Sequence, residues 1–298
     1  MPQRAAENMD VYTIGEQWMK TILLAVSWLA FAACSQDPSE PDVSDAVGAE
    51  EPMAAAKTVV VLDLDAQAKR IAMENIIVDG HIDVPYRLAD GWQNVAESTQ
   101  EGDFDYPRAV AGGLSTPFMS IYTPAKFDGT EEATQHAERM IGIVERIAAE
   151  SPTKFRLVKS VAEVEQAFAD GVIGLPLGME NGSPINGDLG KVNHFYERGI
   201  RYITLTHSKA NHISDSSYDE TRRWNGLSEF GVQVVERMNQ VGIMIDISHV
   251  SDEAFWDALK ASKVPMIASH SSARHFVPGF ERNMDDEMIK ALGAAGGV

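Results

Sequence analysis

The chain has 298 residues, with 44 Asp or Glu against 25 Lys or Arg and a formal net charge of −19 at pH 7. That excess of acid excludes a phosphate backbone as partner, because nucleic-acid binding needs a basic face. A single cysteine excludes an internal disulfide framework and any cysteine-rich zinc or iron–sulfur site. No apolar run reaches the roughly 20 residues that a spanning helix needs, while 44% hydrophobic residues supply a sizeable core.

The cysteine is met first. From Met19 the chain places one positive charge, Lys20, before about a dozen apolar residues, then Ala32, Ala33 and Cys34. This run is too short to span a bilayer but has the length of a signal-peptide core. Small residues directly before a cysteine resemble the cleavage box of bacterial lipoproteins, in which the cysteine becomes the lipidated N-terminus. A plain secretory signal with an incidental cysteine is the alternative, and Phe31 departs from the usual Leu or Val of the box. Glu7, Asp10 and Glu16 put negative charge where a signal wants positive, so residues 1–33 are expected to be a signal peptide with its true start at Met19. Residues 35–57 hold six acids and three prolines and too little apolar surface to offset ordering entropy, so residues 34–57 read as a flexible, lipid-anchored tether. The expected location is the periplasmic side of a bacterial membrane, anchored through Cys34. Ser35, standing where an aspartate commonly retains lipoproteins in the inner membrane, favours the outer one.

Residues 58–298 alternate short apolar runs with helical periodicity. Candidate strands are 76–79, 118–122, 172–179, 202–206, 243–248 and 265–269. Ala137, Met140, Ile141, Val144, Ile147 and Ala148 recur at helical spacing, as do Leu227, Phe230, Val234, Met238 and Val241, with Gly242 placed for a C-terminal cap. Strands alternating with helices imply βα units around a parallel sheet. No glycine-rich phosphate loop follows a strand, which removes the usual support for nucleotide binding. Almost every candidate strand ends in His, Asp or Glu, as suits an α/β (β/α)8 barrel whose strand ends converge on one mouth.

Those strand ends carry the chemistry. His81 and Asp83 are two apart, so on an extended segment both side chains face one way and can chelate one ion. Glu180 follows a buried apolar run, where a carboxylate is costly unless paired or bound to metal. His249 and His270 each lie directly beyond a strand. Five N/O ligands without cysteine suit zinc or a similar divalent ion in a hydrolytic site. His207 fits a sixth ligand, a partner behind the ligands, or an electrophile polarising a substrate oxygen, and the spacing does not choose. His136 and His194 read as structural or surface residues, and His212 and His275 as loop residues with no forced role.

In order, DGHID, GMEN, TLTH, IDISHVS and ASHSSARH resemble the membrane (renal) dipeptidase family of binuclear zinc peptidases, bacterial branch included, over about residues 70–298. The resemblance implies a distorted (β/α)8 barrel holding two zinc ions, with His81 and Asp83 on the first, Glu180 bridging, and His249 and His270 on the second. It implies that His207 contacts the substrate and the tetrahedral intermediate, so that Glu180 and His207 are the catalytic residues. Arg282 would grip the dipeptide's carboxylate with Asn283 beside it, and Arg274 is the competing arginine. The implied partners are a dipeptide substrate and the membrane, with a homodimer as a further expectation.

The chain ends at Val298 on what reads as the opening of a seventh strand. About six strands and that start are expected, so the barrel is incomplete and the eighth-strand aspartate of the family has no counterpart here. Two alternatives stand beside a dipeptidase: a related barrel acting on a lactam, lactone or cyclic amide, and an inactive truncated metal-binding fragment.

Overall fold

The computed structural model describes residues 63–298. The expected signal peptide, Cys34 and the expected tether lie outside the described residues. Among the described residues no helix is long and apolar enough to cross a membrane.

The elements run α1 (Leu64–Glu74), β1 (Val78–Ile82), α2 (Val84–Asp90), α3 (Tyr106–Gly112), β2 (Thr116–Tyr122), α4 (Glu131–Glu150), β3 (Phe155–Leu157), α5 (Val161–Ala169), β4 (Ile173–Leu175), β5 (Leu177–Glu180), α6 (Gly190–Arg198), β6 (Ile200–Thr204), α7 (Glu229–Val241), β7 (Met244–Asp246), α8 (Asp252–Ala261) and α9 (Asp286–Ala294). Five strands form one parallel sheet in the order β1-β2-β5-β6-β7. The sheet curls into a half-barrel, the incomplete form of the (β/α)8 architecture. Parallel neighbours need crossovers, and the helices that make them bury their apolar stripes on the sheet. On α4 that stripe is Ala137, Met140, Ile141, Val144 and Ile147, which joins one core with Met119, Ile121, Met179, Ile203 and Ile245 from the strands. The helix over 229–241 starts on Ser228, whose hydroxyl accepts from Gly231 N, and ends at Gly242 with φ 88°, as its periodicity predicts.

Three strand expectations need correction. The first strand lies at Val78–Ile82 rather than 76–79, so His81 is within it. The run 172–179 is two strands, because Pro176 has no N–H to continue a ladder. Upstream of it, β4 pairs with β3 in a separate two-stranded sheet, and β3 escaped the pattern reading altogether. Downstream, β5 joins the main sheet, and the Pro176 carbonyl still accepts from Met119 N at 2.8 Å. The run 265–269 reduces to a single parallel bridge between Ile267 and Asp246. On its far side Ala268 N donates to Val298 O at 2.8 Å, and Val298 N donates to Met266 O at 3.3 Å, in the position expected of a following strand.

Asp105, fully buried, caps α3 by accepting from Arg108 N and also accepts from Thr99 N and Arg108 Nε, each at 2.9 Å. The Arg108 side chain, with those backbone donors, holds its carboxyl well below the usual carboxylate range against the opposing effect of burial. Tyr202 crosses the sheet directly over Gly178, where a Cβ would meet its ring at 2.0 Å.

Candidate metal centre

The strand ends deliver their polar side chains to one point, the Glu180 carboxylate at the end of β5. That carboxylate is only 5% exposed. Around its Oε1 stand Nε2 of His249 at 3.0 Å, of His270 at 3.3 Å and of His207 at 3.4 Å. Around Oε2 stand His81 Nε2 at 3.4 Å and the Ser120 hydroxyl at 3.3 Å. Two groups have ligand atoms close enough to share an ion: His81, Glu180 and His270, and Glu180, His207 and His249. This partition differs from the expected one, in that His270 falls with His81 and His207 falls with His249. Asp83 lies outside both groups; its side chain is 61% exposed, with its carboxylate 3.3 Å from His81 Nε2. It follows β1 at the start of α2, where the backbone has left the extended form that would aim it beside His81.

Two of the four imidazoles, His81 and His270, are held from behind. His81 Nδ1 pairs with the Tyr202 hydroxyl at 2.9 Å. The Ser269 hydroxyl donates to Asp246 at 2.7 Å, so it accepts from His270 Nδ1 at 2.8 Å, which leaves the His270 Nε2 lone pair facing the centre. Arg282 lies along the His249 ring, with Nε donating to Nδ1 and Nη2 standing by Nε2, both at 3.1 Å. His207 Nδ1 is buried without a partner among the described residues. His249 itself takes φ 70°, an uncommon conformation for histidine, with its carbonyl accepting from Ser217 N at 2.8 Å. Fully buried Asp246 accepts from Thr204, Ser269 and the backbone of Ser248 and Ser269, tying the ends of β6 and β7 to the turn that carries His270.

Burial alone would raise the Glu180 pKa, but hydrogen bonds from His249, His270 and His81 hold it far below the usual range. Burial would lower His81, yet its hydrogen bonds to Asp83 and Glu180 and their charges raise it to about 10. For His249 burial prevails, helped by the Arg282 and His207 charges, and lowers it to about 4. Burial likewise lowers His207. A carboxylate encircled by imidazoles with opposed proton affinities is a donor set for a divalent cation, since neutral imidazole and ionised carboxylate are the forms that coordinate.

Arg282 is buried at the rim, with Nη1 donating to Ser271 Oγ at 2.8 Å and Nη2 to His270 O at 2.9 Å. Arg274 is committed elsewhere, forking onto Asp252 at 2.7 and 2.5 Å. Asn283 is engaged through its backbone carbonyl, which accepts from Arg274 Nε. His136 and His194 sit on helices beside Arg139 and Glu138, and His212 binds Asp128 at 3.0 Å. Pattern reading missed Tyr202, Ser269 and Asp246. Only Asp246 carried a signal, as a carboxylate inside the apolar run 243–247.

The sequence profile of the membrane dipeptidase family (peptidase family M19) matches residues 65–298. The chain belongs to that family. Among its relatives is Dipeptidase verJ of Clonostachys rogersoniana, 29% identical over 256 residues that cover 81% of this chain and 66% of that protein. The structure resembles that of the probable dipeptidase PvdM from Pseudomonas aeruginosa, with TM-score 0.70 and 26% identity over 78% of this chain and 61% of that one. It also resembles the metallopeptidase dipeptidase AC, with TM-score 0.68 and 26% identity over 74% and 70%. The chain thus spans just under two thirds of the curated relative it matches.

Proposed function

We propose that the protein is a zinc-dependent dipeptidase, cleaving a dipeptide whose free carboxylate is held by Arg282. The observation that carries this reading is four imidazole Nε2 atoms within 3.4 Å of one buried carboxylate, with an arginine beside them that has no carboxylate partner among the described residues. The donor set fits two divalent ions sharing Glu180: His81 and His270 would serve one and His249 the other, with Asp83 within reach of the first. When bound, zinc supplies Lewis acidity, polarising a peptide carbonyl and acidifying water toward neutral pH.

The chain's own residues do the rest. Arg282 offers a planar fork matched to a carboxylate, which selects substrates whose cleaved bond lies one residue from a free C-terminus. His207, its ring edge-on to Tyr122 at 4.7 Å, is kept neutral at pH 7 by burial and can donate one hydrogen bond to the carbonyl oxygen as charge develops there. Glu180 stays ionised throughout. Tyr202, Ser269 and Asp246 keep the imidazoles in register.

The test is metal analysis and a dipeptide hydrolysis assay on the full chain and on Arg282→Ala. Stoichiometric zinc with hydrolysis of dipeptides but not of their C-terminal amides is the expected result. Zinc without turnover would sink the dipeptidase reading and favour the metal-binding fragment. Equal loss on a lactone and a dipeptide in Arg282→Ala would remove the arginine's assigned role. We further propose that Cys34 anchors the exported chain, on its position after Ala32 and Ala33. Labelling with radioactive palmitate that persists in Cys34→Ala would overturn this.

A further inference from the structure

Arg282 reaches the centre from residues 274–285, a segment whose Phe276, Val277 and Phe280 are exposed and which therefore has little core of its own. Its two sequence neighbours are gripped instead. The Glu281 carboxylate accepts from Arg222 Nη2 on one oxygen and from Asp252 N at 3.0 Å on the other. The Asn283 carbonyl accepts from Arg274 Nε at 2.8 Å, and Arg274 also forks onto the Asp252 carboxylate. Arg222 in turn knots its own loop by donating to Ser216 O at 2.9 Å and to Asp219 O. Both arginines thus converge on the first turn of α8, just after His249. The 215–217 loop holds His249 as well, through Ser217 N to His249 O and Ser251 N to Asp215 O at 3.1 Å. One frame therefore carries both the imidazole and the guanidinium.

We propose that Arg222 and Arg274 are positioning residues, struts that set the Arg282 guanidinium beside His249 by holding Glu281 and Asn283 against the start of α8. These ion pairs lie at the rim, with side chains 18–31% exposed, and a pair in that setting adds only modestly to global stability. An ångström of misplacement in a binding group, in contrast, costs up to about 10²-fold. The struts therefore act on affinity more than on folding. The consequence for dipeptides rests on the reading of Arg282 given above; the positioning itself does not.

The experiment uses the full chain, zinc-loaded, in wild type, Arg222→Gln, Arg274→Gln and the milder Glu281→Gln. Nitrogen-15 NMR follows the Arg282 Nε–H signal, assigned by its loss in Arg282→Lys, with Arg198 Nε–H as control because its ion pair to Glu138 lies elsewhere. Hydrogen exchange at Arg282 should accelerate roughly tenfold or more in the variants while Arg198 is unchanged. Calorimetric affinity for a non-hydrolysable phosphinate analogue of Gly-Phe should fall about tenfold, with that for its C-terminal amide unaffected. Unchanged exchange at Arg282, or equal acceleration at Arg198, overturns the proposal. Faster exchange at Arg282 alone, with the analogue and its amide bound alike by the wild type, upholds the struts and removes the carboxylate reading.

Discussion

Asp105 and Glu180 are both carboxylates withdrawn from water, and they are satisfied by opposite kinds of partner. Asp105 is closed by groups that cannot lose their protons: two backbone N–H groups and a guanidinium. Glu180 is ringed by four imidazoles, each of which in its neutral form can turn a lone pair rather than a proton toward the centre. Burial opposes ionisation in both, and hydrogen bonding overcomes it in both. Depth and depressed pKa therefore do not separate a structural carboxylate from a site carboxylate. The exchangeability of the partners does.

The largest effect is expected at the Glu180 charge and the smallest at the Asp105 proton. Glu180→Gln keeps the shape and removes the charge; zinc retention measured by mass spectrometry should be lost, and dipeptide turnover should fall on the order of 10³-fold or more. Zinc retained by Glu180→Gln would place Glu180 with Asp105 as a structural carboxylate. Ser269→Ala and Tyr202→Phe leave Glu180 and all four imidazoles in place but release His270 and His81 from behind, so zinc affinity in competition with a chelator should drop about 10- to 100-fold. Asp105→Asn should leave zinc binding untouched and cost about 1–3 kcal/mol in denaturant unfolding, because buried donors lose their charged acceptor. Acid provides the smallest and sharpest check. A carboxyl whose folded pKa is depressed contributes its full stabilisation above its unfolded value, about 3.9, and loses it as pH falls through the folded one. The stability gap between wild type and Asp105→Asn should thus be complete at pH 6 and narrow only below about pH 4. A gap that closes near pH 6 would mean that something other than Asp105 ionisation sets it.

The difference between the two carboxylates also explains what was legible beforehand. His81, Glu180, His207, His249 and His270 announce themselves because each interrupts an apolar run at a strand end, and the structure brings all five within reach of one another. Arg282 carries no such local signal; only the family resemblance singles it out, with Arg274 competing for the role. The groups behind them are set by contacts that no local pattern encodes. Tyr202 reads as one more aromatic in a strand, and its tie to His81 spans 121 positions. Arg222 and Glu281, 59 positions apart, are unremarkable charges until the loops fold together. In the fold, the helices over 131–150 and 229–241 were legible from periodicity and caps. The division at Pro176 was written in the residue itself, but an unbroken apolar run outweighed it. The strand at 155–157 is too short for alternation to register, and only its pairing with β4 defines it.

Gly178 and Tyr202 have a consequence for inheritance. The phenol reaches His81 only because position 178 carries no side chain, and a methyl group there would collide with the ring at 2.0 Å. Neither position can change alone without harm: a larger residue at 178 evicts the ring, and a smaller one at 202 leaves a void and an unsupported imidazole. The two are expected to pass through descent as a single character, kept together or exchanged together, so that a lineage which has lost the tyrosine is the one free to fill the glycine.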